Sequence, residues 1–274
     1  MGFPKSTYMY WQKRFDREDP DAYLLQSMRR IREEHKDYGY RRICGELRKQ
    51  GNHVNNKRVH RLVQKYGMQV TSYTRKSRRF STYKGVVGRI APNRVNRRFN
   101  TSIPHQKITT DTTEFKYFEA DDKGRVTIKK LYLDPFMDLW NMEILGYGIS
   151  DRPSAQSIMT ALNEVIESTN DCRFRRTFHS DRGWAYQMRS YRQTLKSNRI
   201  FQSMSRKGNC YDNSPMENFF GLMKQEMYYG QEYNSFLELK DAIDKYICYY
   251  NQKRIKASLG YRSPIEYRES VLAA

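Results

Sequence analysis

Apolar residues recur at helical spacing through the first seventy positions of the chain. Three amphipathic helices are predicted, over residues 21–35, 40–50 and 55–66, after a shorter helix that follows Pro4. Gly51 and Gly67 follow the second and third of these helices, the usual position of a C-terminal helix stop. Residues 1–70 are therefore predicted to form a small all-α domain.

From residue 107 the pattern becomes one of strands alternating with helices. Strands are predicted over 107–118, 125–133, 143–150, 174–179 and 200–203, and helices over 154–168, 185–197, 213–229 and 235–250. The string Asp121-Asp-Lys-Gly124 is a hairpin turn signal. Three antiparallel strands followed by alternating helices and strands predict a mixed α/β domain over residues 104–270.

Between these domains, residues 71–103 lack apolar periodicity. Two strings, 77–84 and 93–100, interleave basic and aromatic residues. Such a composition is typical of a linker that lies along DNA and is ordered by its phosphates, or of a flexible tether. The sequence leaves both interpretations open.

The net charge of +20 is unevenly distributed. Residues 51–100 contain 13 Lys or Arg and no Asp or Glu, whereas residues 101–274 contain 25 basic and 22 acidic residues. A concentrated basic block favours a polyanionic partner, because phosphates release counterions when basic groups bind them. A solvated basic surface or an anionic-membrane contact would also fit, although no amphipathic lipid-binding pattern accompanies the charge.

Two of the predicted N-terminal helices have the proportions of a helix-turn-helix. They are joined by residues 51–55, and the second would present basic side chains to phosphates or a groove: Lys57, Arg58, Arg61 and Lys65. The alternative is a small helical bundle with a basic, soluble face.

Other features narrow the class of protein. No run of about 18 apolar residues exists, so no membrane span is predicted. The four cysteines are widely spaced, without a CxxC pair, which favours reduced thiols in a cytosolic protein over a zinc module or a disulfide framework.

Three acidic residues, Asp111, Asp181 and Glu217, form the candidate catalytic site. Thirty-five residues separate Asp181 from Glu217, and Lys224 follows Glu217 by seven positions, on the same helical face. Asp111 is predicted in mid-strand, Asp181 after a strand and Glu217 in the first turns of a helix, so the three can meet at one sheet edge. Carboxylates without nearby Cys or His favour Mg²⁺ or Mn²⁺.

Two such ions would activate a water or a 3′-hydroxyl for attack on a phosphodiester. A glycosidase-type acid and base pair is the competing interpretation, but it explains neither the third carboxylate nor the basic N-terminal third.

These residues carry a resemblance to the second-frame (OrfB) transposases of bacterial insertion sequences, whose core is similar to that of retroviral integrases. The spacing of Asp111, Asp181, Glu217 and Lys224 matches that family, and so do three longer strings, at residues 38–43, 202–213 and 250–264. The resemblance implies an RNase H-like fold and Mg²⁺-dependent DNA cleavage and strand transfer, with the three carboxylates as metal ligands. It covers nearly the whole chain.

The resemblance also implies partners. Lys224 is expected to meet a phosphate, and Arg206, Lys207 and Asn213 are expected to contact DNA. Expected partners are the element's terminal inverted repeats, target DNA, further copies of the chain on DNA, and an upstream-frame (OrfA) protein or fusion, in the bacterial cytoplasm at the nucleoid. Two alternatives stay open: a catalytically inactive DNA-binding protein that regulates transposition, and an RNA-processing nuclease of the same fold.

Overall fold

The computed structural model describes residues 4–15, 19–73, 88–120 and 124–273. They belong to two compact units, Met1–Tyr73 and Thr74–Ala274. Residues 121–123 of the predicted hairpin turn and the basic string 77–84 lie outside the described residues.

The N-terminal unit is built from helices. They are α1 (Lys5–Phe15), α2 (Ala22–Glu34), α3 (Tyr40–Lys49) and α4 (Asn56–Lys65). Met28, Ile43, Leu47 and Leu62 are fully buried, so the apolar faces read from the sequence form one core. The side chain of Asn55 caps α4 by accepting the backbone N–H of Lys57. The three amphipathic helices are confirmed.

The larger unit contains a six-stranded mixed sheet. Its strands are β1 (Lys107–Thr110), β2 (Thr113–Ala120), β3 (Val126–Asp138), β4 (Ile144–Ser150), β5 (Thr177–Ser180) and β6 (Phe201–Met204). Strand β3 pairs antiparallel with β1, β2 and β4, while β1, β5 and β6 run parallel to one another. The predicted mixed α/β architecture is confirmed.

The sheet differs from its prediction around Asp111. Strands β1 and β2 pair with β3 in one continuous register, which places Asp111 and Thr112 opposite Pro135 and Asp134. Proline has no N–H to donate to a β-ladder, and the chain opposite Pro135 is interrupted at this point, between β1 and β2. Asp111 therefore lies in a break between two strands rather than in mid-strand, and β3 continues beyond residue 133 to Asp138.

Helices cover both faces of the sheet. They are α5 (Ala155–Ser168), α6 (Trp184–Gln187), α7 (Arg189–Ser197), α8 (Ser214–Met223), α9 (Phe236–Gln252) and α10 (Pro264–Leu272). One hydrophobic cluster joins β2 and β3 to α8 and α9, and the other joins β1 and β5 to α5 and α7. No helix among the described residues combines the length and apolar character needed to cross a bilayer.

Two helical features were not predicted. The predicted helix over 185–197 is divided at Met188, whose backbone is extended. Helix α10 was missed, although Ser263, Pro264 and Glu266 spell a capping box with proline in the first turn. That signal was present in the sequence.

Part of the predicted linker is folded onto the larger unit. We call residues 88–100 the docked arm. The Ser203 hydroxyl in β6 accepts the backbone N–H groups of Arg94 and Val95, at 2.9 and 3.3 Å. Val95 is buried, and Ala91 donates its N–H to the Met204 sulfur. The arm is thus part of the core's packing, where the sequence had suggested a segment ordered only by DNA or a tether.

Candidate active site

Asp111 and Asp181 leave the sheet at neighbouring positions. Strands β1 and β5 are adjacent and parallel, with Thr109 paired to His179, and each aspartate lies two residues beyond its member of that pair. The carboxyl ends of adjacent parallel strands meet at one edge, so the two aspartates emerge side by side.

Local hydrogen bonds orient both carboxylates. The Asp111 Oδ1 atom accepts the N–H of Thr112 at 2.8 Å, and the Asp181 Oδ1 atom accepts the N–H of Gly183 at 2.7 Å. A Cβ at Gly183 would lie 2.9 Å from that Asp181 oxygen and 3.3 Å from the Tyr186 ring. Only glycine fits this turn without displacing a neighbour.

Glu217 is brought to the same edge by the residue that precedes α8. The Thr109 hydroxyl donates to the Asn213 side-chain oxygen, and the Asn213 amide donates to the Thr110 carbonyl at 3.1 Å. This asparagine therefore clamps the start of α8 to β1, directly before Asp111. Glu217 lies one helical turn after the clamp, on the same face.

Electrostatics link the three acidic groups. Burial raises the pKa of Asp111 well above its usual value, and the negative charges of Asp181 and Glu217 raise it further. Burial also raises the pKa values of Asp181 and Glu217. Like charges held this close favour a bound cation or proton, as a metal-binding carboxylate set requires.

Two further side chains at this edge were not identified from the sequence. Asp134 is almost fully buried and accepts the Thr112 hydroxyl at 2.6 Å, and burial raises its pKa to about 6. The buried Tyr186 hydroxyl lies 3.4 Å from the hydroxyls of Thr110 and Thr112. A charged residue within the apolar run of β3 was the available signal for Asp134, and Tyr186 had none.

The donor set fits a hard divalent cation in its chemistry. All three ligand candidates offer carboxylate oxygens, which Mg²⁺ and Mn²⁺ prefer. In the described part of the chain, however, no three His, Cys, Asp or Glu side chains are gathered tightly enough to enclose an ion. One oxygen each of Asp111 and Asp181 accepts a nearby backbone N–H, so the other oxygen of each carboxylate is the one available to an ion.

Lys224 lies where α8 ends. It begins a five-residue π-turn, Lys224–Tyr228, and its ammonium group lies 5.0 Å from the centre of the Phe115 ring in β2. The predicted single helix over 213–229 is therefore α8 followed by this wider turn. Phe115 belongs to β2, so the Lys224 side chain lies on the side that faces this strand.

The loop before α8 is organised by Asp212, which is fully buried. Its carboxylate receives two side-chain hydrogen bonds from Arg206, and others from Arg97 and Asn93 of the docked arm. Of the three DNA contacts predicted in this region, Lys207 and about half of the Arg206 side chain are exposed. Asn213 is buried, 3% exposed, and its side-chain amide donates to β1, while its contact with DNA stays a prediction.

The predicted DNA contacts of the N-terminal unit all lie on α4, and all four are exposed. Arg58 and Arg61 also donate to the buried carboxylate of Asp21, at 2.7 Å each. Their side chains remain 46% and 65% exposed, so these ion pairs orient the guanidinium groups without removing them from solvent.

Models of known families match three segments of the chain. Two models described as integrase core domain match residues 101–210 and 217–272, and a model described as HTH-like domain matches residues 18–77. With the mixed sheet, these matches confirm the predicted RNase H-like core and the helix-turn-helix-like domain in front of it.

Curated relatives extend over most of the chain. The protein assigned as transposase InsK for insertion sequence element IS150 of Escherichia coli (strain K12) is 39% identical, over 97% of this chain and 89% of its own. An uncharacterized transposase-like protein of Haemophilus influenzae is 41% identical, over 80% of this chain and 95% of its own. A protein of Shigella flexneri assigned as a transposase for IS1353 is 35% identical, over 97% of this chain but 50% of its own.

Among solved structures, the HTLV-2 integrase catalytic core domain in complex with magnesium is 15% identical. It covers 60% of this chain and 97% of its own, with a TM-score of 0.45. The catalytic domain of Mos1 mariner transposase gives a TM-score of 0.42 at 15% identity, over 53% and 70%. The family models and curated relatives decide the assignment: this chain belongs to the insertion-sequence transposases, which carry an integrase core domain and act in DNA transposition.

Proposed function

We propose that this chain cleaves DNA strands at the ends of an insertion element and joins them to target DNA, through Asp111, Asp181 and Glu217. The observation that carries the proposal is the Asn213 clamp. It ties the helix bearing Glu217 to the strand that leads into Asp111, beside the parallel strand that leads into Asp181. An arrangement held by a buried amide is expected where acidic groups of three elements must stay together.

The carboxylates would hold Mg²⁺ or Mn²⁺, with two ions as the expected number. When bound, such ions polarise a water or a 3′-hydroxyl and stabilise the leaving oxygen. The raised pKa of Asp111 fits this role, because its charge is disfavoured without a cation. The hydrogen bonds from Thr112 and Gly183 keep one oxygen of each aspartate fixed while the other is available as a ligand.

The basic side chains would position the DNA. Lys224, seven residues after Glu217 at the start of the π-turn, is proposed to contact a phosphate near the reacting bond. Arg206 and Lys207, on the loop before α8, would bind the backbone nearby. The exposed residues of α4 would bind duplex DNA through the N-terminal unit, with an oligomer and an upstream-frame partner as further proposals.

A cleavage and strand-transfer assay tests the site. A labelled duplex bearing the flanking inverted repeat is incubated with Mg²⁺ and protein, with and without the upstream-frame partner. Glu217→Gln should abolish both products while leaving folding and DNA affinity nearly unchanged, because it removes a ligand but little packing. The matched control is Glu232→Gln, at an exposed glutamate outside the site. Cleavage by the Glu217 variant would refute the assignment.

A change of cation gives an independent test. Ca²⁺ in place of Mg²⁺ should permit DNA binding without turnover, because Ca²⁺ adopts looser coordination than the geometry of phosphoryl transfer requires. Cleavage in the presence of a chelator would overturn the mechanism. If wild-type protein bound inverted-repeat DNA but never cut it, even with the partner, a catalytically inactive DNA-binding regulator would be the better description. A marked preference for RNA would instead favour the nuclease.

A further inference from the structure

The turn that follows α8 departs from α-helical geometry. From Lys224 to Tyr228 the chain forms a π-turn, closed by a hydrogen bond of 2.7 Å from the Tyr229 N–H to the Lys224 carbonyl. Such turns are rare and often occur at functional sites. A last helical turn also frays readily, because its carbonyls lack helical partners. Side chains must therefore hold this turn in place.

Glu226, in the middle of the π-turn, provides the first anchor. Its carboxylate receives Nε and Nη2 of Arg254 at 2.7 and 2.6 Å, and the Tyr246 hydroxyl at 2.9 Å. The side chains of Arg254 and Glu226 are 1% and 4% exposed. Two parallel bonds between planar groups fix the orientation of the carboxylate as well as its position.

Tyr228 provides the second anchor, to the sheet. Its hydroxyl accepts the Lys116 N–H and donates to the Lys116 carbonyl, both at 2.9 Å, and its ring packs edge-on against Phe115 at 5.1 Å. The ammonium group of Lys224 lies over that same Phe115 ring. The two anchors therefore hold the end of α8 against the strand that follows Asp111.

We propose that Arg254 is a positioning residue for strand cleavage: through its fork on Glu226 it fixes the π-turn, and so holds Lys224 where it meets the DNA phosphate. This inference rests on the proposed function, since it assigns Lys224 to the reacting DNA. The segment after α9 would then affect the reaction indirectly, because Arg254 itself touches no substrate. The competing explanation is that the ion pair only stabilises the core.

A double-mutant cycle separates these explanations, using single-turnover cleavage at saturating protein. A lysine contact with a phosphate is a charge-assisted hydrogen bond, so Lys224→Ala should slow cleavage by roughly 10- to 100-fold. Arg254→Lys, which keeps the charge but loses the fork, should slow it by a similar factor. The double variant should be no slower than Lys224→Ala alone, because the two single changes remove the same contact, that of Lys224 with the phosphate. Arg262→Met, at an exposed arginine, is the matched control.

A second variant protects the test against simple unfolding. Replacing Glu226 and Arg254 by methionine and Tyr246 by phenylalanine removes the hydrogen bonds among these three side chains at similar volume, a change that is often neutral for stability. We expect its melting temperature to stay close to that of wild type, while its cleavage rate falls to the level of Lys224→Ala. Recovery of both stability and wild-type cleavage in this variant would show that the pair is only structural and would overturn the proposal.

The possible failures can be told apart. If wild-type protein does not cleave DNA, the proposed function fails before the variants are compared. If wild type cleaves and the slowing factors of Arg254→Lys and Lys224→Ala multiply in the double variant, the two residues act independently and the positioning role is refuted. When DNA affinity is measured in Ca²⁺, Arg254→Lys should weaken binding by no more than Lys224→Ala does.

Discussion

Replacing Asp212 by asparagine should weaken the larger unit without changing its shape. The carboxylate is fully buried and accepts five hydrogen bonds, three of them at Oδ2 and two at Oδ1. An asparagine oxygen can take the place of Oδ2 and serve its three donors, but the NH₂ group would then face the two arginine donors at the position of Oδ1.

The size of the loss follows from those two contacts. A hydrogen bond between charged groups contributes about 1.5–3 kcal/mol, and both shares are smaller here because the Arg97 and Arg206 side chains are about half exposed. Asp212→Asn is therefore expected to lower the free energy of unfolding by about 2 kcal/mol near pH 7. Asp241→Asn is the matched control, because that aspartate forms only an exposed pair with Lys245 and should change little.

The pH dependence has a defined sign. Hydrogen bonds from Arg206 hold the pKa of Asp212 well below its usual range. The Asp212 carboxylate therefore contributes to the free energy of unfolding above about pH 4, its pKa in the unfolded chain, and this contribution is lost as the pH falls below that value. Urea unfolding should give a constant difference between wild type and variant from about pH 7 to about pH 5, and a smaller one near pH 3. A difference that widened with acid, or one absent at neutral pH, would refute the reasoning.

Three other predictions follow from the packing and the charges. Gly148→Ala should cost about 1–3 kcal/mol of unfolding free energy, because its methyl group would lie 2.3 Å from the Ser157 hydroxyl; Gly221→Ala, with open space around it, is the control, and equal effects would contradict the packing argument. Burial raises the pKa of Asp138 to about 6. The protonated side chain therefore contributes stability below about pH 4, and this contribution is lost as the pH rises through 6. In urea titrations, the free energy of unfolding of wild type should fall by about 3 kcal/mol relative to that of Asp138→Asn by about pH 7. A pH-independent difference would contradict that pKa. Lys57→Ala with Lys65→Ala should lower the slope of log affinity against log salt by about one per lost phosphate contact, without changing the melting temperature; an unchanged slope would remove α4 from the DNA interface.

The sequence was most informative where structure is local. The helices of the N-terminal unit follow from their amphipathic pattern, and the strings around the three acidic residues mark a candidate site before any fold is known. Strand β3 was cut short because Asp134, Pro135 and Asp138 interrupt its apolar pattern. Those residues are tolerated because of distant partners, since Asp134 accepts the Thr112 hydroxyl and Asp138 accepts the N–H of His105. No short window of sequence contains such pairs.

The roles of residues near the site depend on contacts that are remote in sequence. Asn213 is predicted to contact DNA, and within the protein its partners are Thr109 and Thr110, on a strand about a hundred residues earlier. The docked arm looked like a linker because its basic residues have no periodicity, although Asp212 and Ser203 bind it. In both cases a short window of sequence contains the polar residue but not the partner that it has within the protein.

The docked arm also bears on the tendency of the protein to aggregate. Strand β6 is the last strand of the sheet order, and an unprotected strand of this kind invites pairing with another chain and aggregation. The arm occupies the hydroxyl of Ser203, and the guanidinium groups of Arg94 and Arg175 cover the Phe201 ring, at 4.2 and 3.5 Å from its centre. A shortened chain that began at residue 104 would lose the contacts of Arg94 with Ser203 and Phe201, and we expect it to precipitate where a chain that retains residues 88–100 stays dissolved.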